Sequence, residues 1–217
     1  PLAFFGNGLH IYSIHSKSLW RRLARVKVDS LVAHAPTFFF QDFFKQLAKN
    51  PQAGPKRLEF LMMKYDVEKW DSNFIHVLKA SEIMGKLVIM FCRTLREPLG
   101  LAHDKDGWLK MREALACNRS LRAIQFGIVR HEALCDDQER AFNLYLETTF
   151  QDMENHPTLK TVSIFHEEGN TSVKAPVTTF RSLIQRNPNI TLLVDSSHVA
   201  ESKDAMYTVC KPALMGT

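Results

Sequence analysis

Leu121-Arg122-Ala123-Ile124-Gln125-Phe126 and Leu159-Lys160-Thr161-Val162-Ser163-Ile164 share one spacing, an aliphatic anchor followed by apolar residues three and five positions on. Four further segments repeat it, at 23–28 (Leu23, Val26, Val28), 58–63 (Leu58, Leu61, Met63), 87–92 (Leu87, Met90, Cys92) and 190–195, where Asp195 ends the last one imperfectly. The anchors stand 35, 29, 34, 38 and 31 residues apart. That interval suits one strand plus one helix, so the chain reads as six tandem strand–helix repeats.

The intervening segments carry apolar residues three and four apart, the spacing of one helix face. Phe39, Phe40, Phe43, Phe44 and Leu47 form one such set; Phe74, Val77, Leu78 and Ile83 the next; Leu109, Met111 and Leu115 a third. Phe142, Leu146, Phe150 and Met153 form a fourth, and Phe180, Leu183 and Ile184 a fifth. Ser72, Asp106 and Pro176 are the expected helix starts, through a capping side chain or a preset backbone angle.

The return from helix to strand also recurs, as Ala116-Cys117-Asn118-Arg119-Ser120-Leu121, Glu154-Asn155-His156-Pro157-Thr158-Leu159 and Gln185-Arg186-Asn187-Pro188-Asn189-Ile190. Asn tolerates a left-handed backbone and Pro forbids helix continuation, so a helix stops here and the anchor enters the strand. In these features the chain resembles the leucine-rich-repeat family, in its long-repeat, ribonuclease-inhibitor-like branch. The resemblance covers roughly residues 20–200 and implies a short irregular solenoid of parallel strands with outer helices. It departs from the family at the Asn or Cys expected eight positions after each anchor, where Leu31, Asp66, Leu95, Val129, Glu167 and His198 stand instead. Strand–helix alternation alone also fits a doubly wound α/β domain. A single domain over 1–217 is expected: an N-terminal cap to about 22, repeats over 23–200 and a C-terminal cap over 201–217.

With the second and third apolar residues of each segment inward, the residues between them stand on a concave sheet face. The expected partner-binding set is Lys27, Phe60, Met62, Lys64, Ile89, Phe91, Arg93, Gln125 and Phe165, apolar anchors edged by cations, a composition enriched at interface centres. The function expected from it is binding of a partner protein, as a scaffold, an adaptor or a secreted effector. The loops following strands, at 95–106, 129–137 and 166–175, would gather on one rim.

The 217 residues carry a formal net charge of +5, with 45% apolar and 24% charged residues, which excludes disordered and fibrous classes. No uncharged apolar stretch reaches the length of a membrane span. The apolar start at 2–5 lacks a basic leader, and the chain reads as beginning inside a longer protein. Cys92, Cys117, Cys135 and Cys210 form no CxxC pair, so reduced thiols and the cytoplasm are expected, the host cytoplasm for a secreted effector.

Two other functions remain open. The segment Trp20-Arg21-Arg22-Leu23-Ala24-Arg25-Val26-Lys27 joins cations to an aromatic, as nucleic-acid binding requires. His103, Asp104 and Asp106, then His131, Glu132, Cys135, Asp136 and Asp137, then His166, Glu167 and Glu168 concentrate acid–base groups in the rim loops, as a hydrolytic enzyme would. No GxSxG elbow, phosphate-cradling glycine loop or metal spacing accompanies them, so no catalytic residue, metal or cofactor is expected.

Overall fold

The computed structural model describes residues 2–5, 8–12, 16–65, 69–92, 104–129, 136–167, 185–187, 190–194 and 208–209. Its strands are β1 (Leu2–Phe5), β2 (Gly8–Tyr12), β3 (Ser30–Pro36), β4 (Leu58–Tyr65), β5 (Met84–Cys92), β6 (Ala123–Val129), β7 (Thr161–Glu167), β8 (Thr191–Val194) and β9 (Thr208–Val209). Its helices are α1 (Lys17–Leu23), α2 (Thr37–Lys49), α3 (Ser72–Ala80), α4 (Lys105–Cys117) and α5 (Asp136–Asp152). The protein is thus α/β, with the nine strands of the described residues in one sheet whose spatial order is the chain order. From β2 to β8 every neighbouring pair is parallel, and β1 and β9 add antiparallel edges.

The helices also touch in chain order, α1 to α2, α2 to α3, α3 to α4 and α4 to α5. Ring contacts tie this layer to one sheet face: Phe40 and Phe44 of α2 meet Phe60 of β4 edge-on at 4.6 and 5.0 Å, with Phe74 of α3 4.8 Å from Phe44. Trp108 of α4 lies 6.1 Å from Phe91 of β5, and Phe150 of α5 5.7 Å from Phe126 of β6. In α1, Trp20 joins through Phe43 of α2 at 5.7 Å. All these rings are buried, so the core is the space between this helix layer and the sheet.

The first expected strand is corrected. Leu23 closes α1, 24–29 is turn and coil, and the strand is β3, from Ser30. The parallel run begins earlier still, at β2, inside the segment expected to cap the sheet. Two helix starts also move: Asp71 caps α3 in place of Ser72, and Asp104 caps α4 in place of Asp106. The expected helix at 180–184, the start at Pro176 and most of the three rim loops lie outside the described residues.

The junctions carry a polar ladder of their own. Asn118, buried where α4 ends, donates from Nδ2 to the carbonyls of Leu78 (2.6 Å) and Ser81 (3.4 Å) of the preceding unit. Its Oδ1 accepts from the backbone N–H of Ser120 and Leu121 at 2.8 and 2.7 Å, shaping the turn into β6. His156 holds the corresponding place before β7, its Nδ1 accepting from Leu159 N at 3.1 Å. Asn187 then donates to the His156 carbonyl at 3.1 Å. A second row runs beside it, Ser120 Oγ to Met84 O at 3.0 Å and Thr158 Oγ1 to Leu121 O at 2.9 Å. Side chains therefore bond neighbouring units at the helix-to-strand turn.

Among the described residues no helix is long and apolar enough to cross a membrane.

Candidate functional site: the open face of the sheet

Strand side chains alternate between faces, so the ring contacts that fix one face also define the other. Leu58, Phe60 and Met62 of β4, Leu87, Ile89 and Phe91 of β5, Ile124 and Phe126 of β6 and Val162 of β7 share the helix-facing rows, all buried. The expectation that Phe60, Met62, Ile89 and Phe91 form the open concave face is therefore corrected: they are core residues. The cause is phase. In β6 and β7 the anchors Leu121 and Leu159 precede the strand, and Ile124, Phe126 and Val162 point inward as expected. In β4 the anchor Leu58 already lies in the strand, so inward residues follow at steps of two. In β5 the better anchor is Met84, which gives Leu87 and Ile89 the three-then-five spacing, and the register against β4 shifts beside Gly85.

The opposite face meets none of the described helices. Its strand register forms rows, one of His10, Val32, Glu59, Lys86, Ala123, Thr161 and Thr191. The next runs through His34, Leu61, Val88, Gln125 and Ser163, and beyond it Met90 pairs with Gly127. Val88 and Met90 are buried, at 7% and 8% exposure, while Leu61, Gln125, Glu59 and Lys86 are half-buried. The centre is thus apolar and buried, and the half-buried residues around it include the polar Glu59, Lys86 and Gln125. The His34 imidazole is held below its usual pKa by burial first, then by the charge of Lys86 and by His10, so it stays neutral near pH 7.

Of the expected set, Gln125 stands on this face, in register between Val88 and Ser163. Lys27 is exposed in the coil before β3, off the sheet. Lys64 lies in β4 and Phe165 in β7, opposite Gly127, with side chains outside the described residues, where Arg93 lies entirely. Val88, His34, Glu59 and Lys86 were not singled out from sequence, and Leu61 and Met90, expected to point inward, stand on this face instead. The alternation Met84, Leu87, Ile89 was the signal that would have placed Val88 and Met90.

The nucleic-acid candidate at 20–27 loses its aromatic, because Trp20 is fully buried. Arg21 pairs with Asp42 at 3.2 Å and Arg25 donates to Gln46 at 3.0 Å. In the acidic rim cluster, Asp104 serves the fold, because one oxygen accepts from Gly107 N at 3.1 Å, capping α4, and the other from Trp70 N at 2.7 Å. A side chain at position 107 would collide with that carboxylate, so glycine is what admits it. His103, His131, Glu132, Cys135 and Glu168 lie outside the described residues, among which no three His, Cys, Asp or Glu gather closely enough to hold a metal ion.

Compared with protein families, characterised proteins and solved structures, the chain shows no significant match.

Proposed function

We propose that the chain is a short solenoid of leucine-rich-repeat character that binds a partner protein through the open face of its sheet, as a scaffold or adaptor does. The observation that carries this reading is the one-sided helix layer, which leaves the half-buried Leu61 and Gln125 on a sheet face with no described helix over it. A chain-order strand sequence with helices on a single side favours stacked repeats over the doubly wound alternative, which puts helices on both faces. The bonding of Asn118, His156 and Asn187 at successive junctions supports the same reading, because stacked units require neighbour-to-neighbour contacts.

An apolar centre with a polar surround matches the anatomy of protein interfaces. Binding would bury Leu61 and the edges of Val88 and Met90, with Glu59, Lys86 and Gln125 setting orientation. The test is capture of partners from nuclease-treated lysate by the chain, by a Lys86→Glu/Gln125→Arg variant and by a Leu144→Arg control on the exposed side of α5. A partner retained by the control and lost by the face variant supports the reading. Equal retention by both, or loss on nuclease treatment alone, overturns it.

A further inference from the structure

We propose that a cleft on the strand-entry rim, between Arg57 and Arg122 above Gly85, binds a phosphomonoester dianion. The cleft has a volume of about 300 Å³ and opens where the helix-to-strand turns deliver the chain into β4, β5 and β6. Its origin is local. The Gly85 carbonyl accepts from Arg122 N at 2.9 Å, so the two residues sit side by side at the entries to β5 and β6, beside the register shift. A Cβ on Gly85 would come within 2.7 Å of the Arg57 Nε, so the missing side chain makes the room in which that guanidinium lies. Arg119, from the turn before β6, adds a third guanidinium to the lining.

Charge decides what fits. Lys56 and Arg57 also line the cleft but are already ion-paired, with Asp29 at 2.7 Å and Glu59 at 3.1 Å. Among the described residues no ion pair involves Arg119 or Arg122, both exposed, and Glu82 is the one carboxylate in the lining. The surplus is cationic and made of guanidinium, whose planar fork suits two phosphate oxygens at once. Ser120 and Thr158 line the same space, but their hydroxyls donate to the Met84 and Leu121 carbonyls, so the guanidiniums carry the binding. Among the described residues no aromatic ring lines it to stack a base, and the group recognised is the phosphate itself. A dianionic monoester gains more from two guanidiniums than a monoanionic diester does, which sets a phosphorylated small molecule or side chain ahead of a nucleic-acid backbone.

The experiment is calorimetric titration of the chain at fixed ionic strength with O-phosphoserine, a phosphoserine peptide, sulfate and a single-stranded oligonucleotide. Saturable phosphoserine binding is expected, weakened about tenfold or more by Arg119→Ala/Arg122→Ala and strengthened by Glu82→Gln. A tighter peptide than free amino acid assigns the source as a protein side chain, and equal binding assigns it as a small molecule. Circular dichroism of the double variant, expected unchanged because both side chains are exposed, separates lost binding from lost fold. No saturable phosphoserine binding, binding indifferent to the two arginines, sulfate binding as tightly, or an oligonucleotide binding more tightly overturns the proposal. Gln125→Arg on the open sheet face, away from the cleft lining, is expected to leave this titration unchanged, so its failure is separable from failure of the partner-binding reading, on which it does not rest.

Discussion

Asn118 Nδ2 lies 2.6 Å from the carbonyl oxygen of Leu78, forty residues earlier, while the same side chain's oxygen takes the N–H of Leu121 at 2.7 Å. One buried amide thus closes its own turn and ties it to the unit before. Asn118→Ala leaves two carbonyls and two N–H groups to lose their partners in a buried site, and each unsatisfied group costs about 1–3 kcal/mol. The variant is expected to be destabilised by about 3 kcal/mol or more, read as a lowered midpoint in urea. A loss under about 0.5 kcal/mol, as for ordinary surface changes, would show that the junction ladder does not hold the units together.

His156 occupies the same place one unit on, and it titrates. Its Nδ1 accepts from Leu159, so the neutral ring carries its proton on Nε2, which makes no well-formed hydrogen bond. Burial holds its pKa below the usual value and Arg119 adds to this, outweighing the carbonyls of Leu115 and Asn118 that favour the proton. A histidine whose folded pKa is depressed is protonated preferentially in the unfolded chain, so stability is present above about pH 6.5 and lost as pH falls below it. His34 acts in the same direction. Unfolding measured from pH 7.5 down to 5 is expected to show falling stability, and His156→Asn to flatten the slope, by at most about 1.4 kcal/mol per pH unit. An unchanged slope would contradict the assignment.

Asp104 joins α4 to the chain ahead of α3 by accepting from both Gly107 and Trp70. Asp104→Ala is expected to cost about 1–2 kcal/mol, and Gly107→Ala to destabilise by displacing the carboxylate even though Ala is the better helix former. Urea midpoints of both variants check this. A stabilised Gly107→Ala would refute the crowding.

Phe60 separates a core role from a binding role. Surrounded by Phe40, Phe43, Phe44 and Phe74, its truncation to Ala is expected to cost about 3–5 kcal/mol in stability. A fully stable Phe60→Ala protein would return that ring to the surface.

The alternation of strands and helices was legible because each helix carries its apolar stripe and each strand an aliphatic cluster of similar spacing. The strands at 161–164 and 123–126 came out in the right phase, because Leu159 and Leu121 stand just before them. Phase failed at Leu58 and Leu87, where every residue from 58 to 63 except Glu59 and every residue from 87 to 91 is apolar. Hydrophobicity then cannot say which half of a strand faces the helices, and a slip of one residue exchanges the faces. The junction residues Asn118, His156 and Asn187 were recognised as a repeated turn, but their bonds across units depend on stacking, which no local pattern displays. Ser30–Pro36 was missed because the aliphatics of 23–28 imitate a strand just ahead of the real one.

The most direct measurement is site-specific photocrosslinking, with a photoreactive residue placed at Gln125 on the open face in one protein and at Leu144 on the helix layer in another. The expected result is a partner protein crosslinked from position 125 and none from 144. Crosslinking from 144 alone would contradict recognition through the open sheet face.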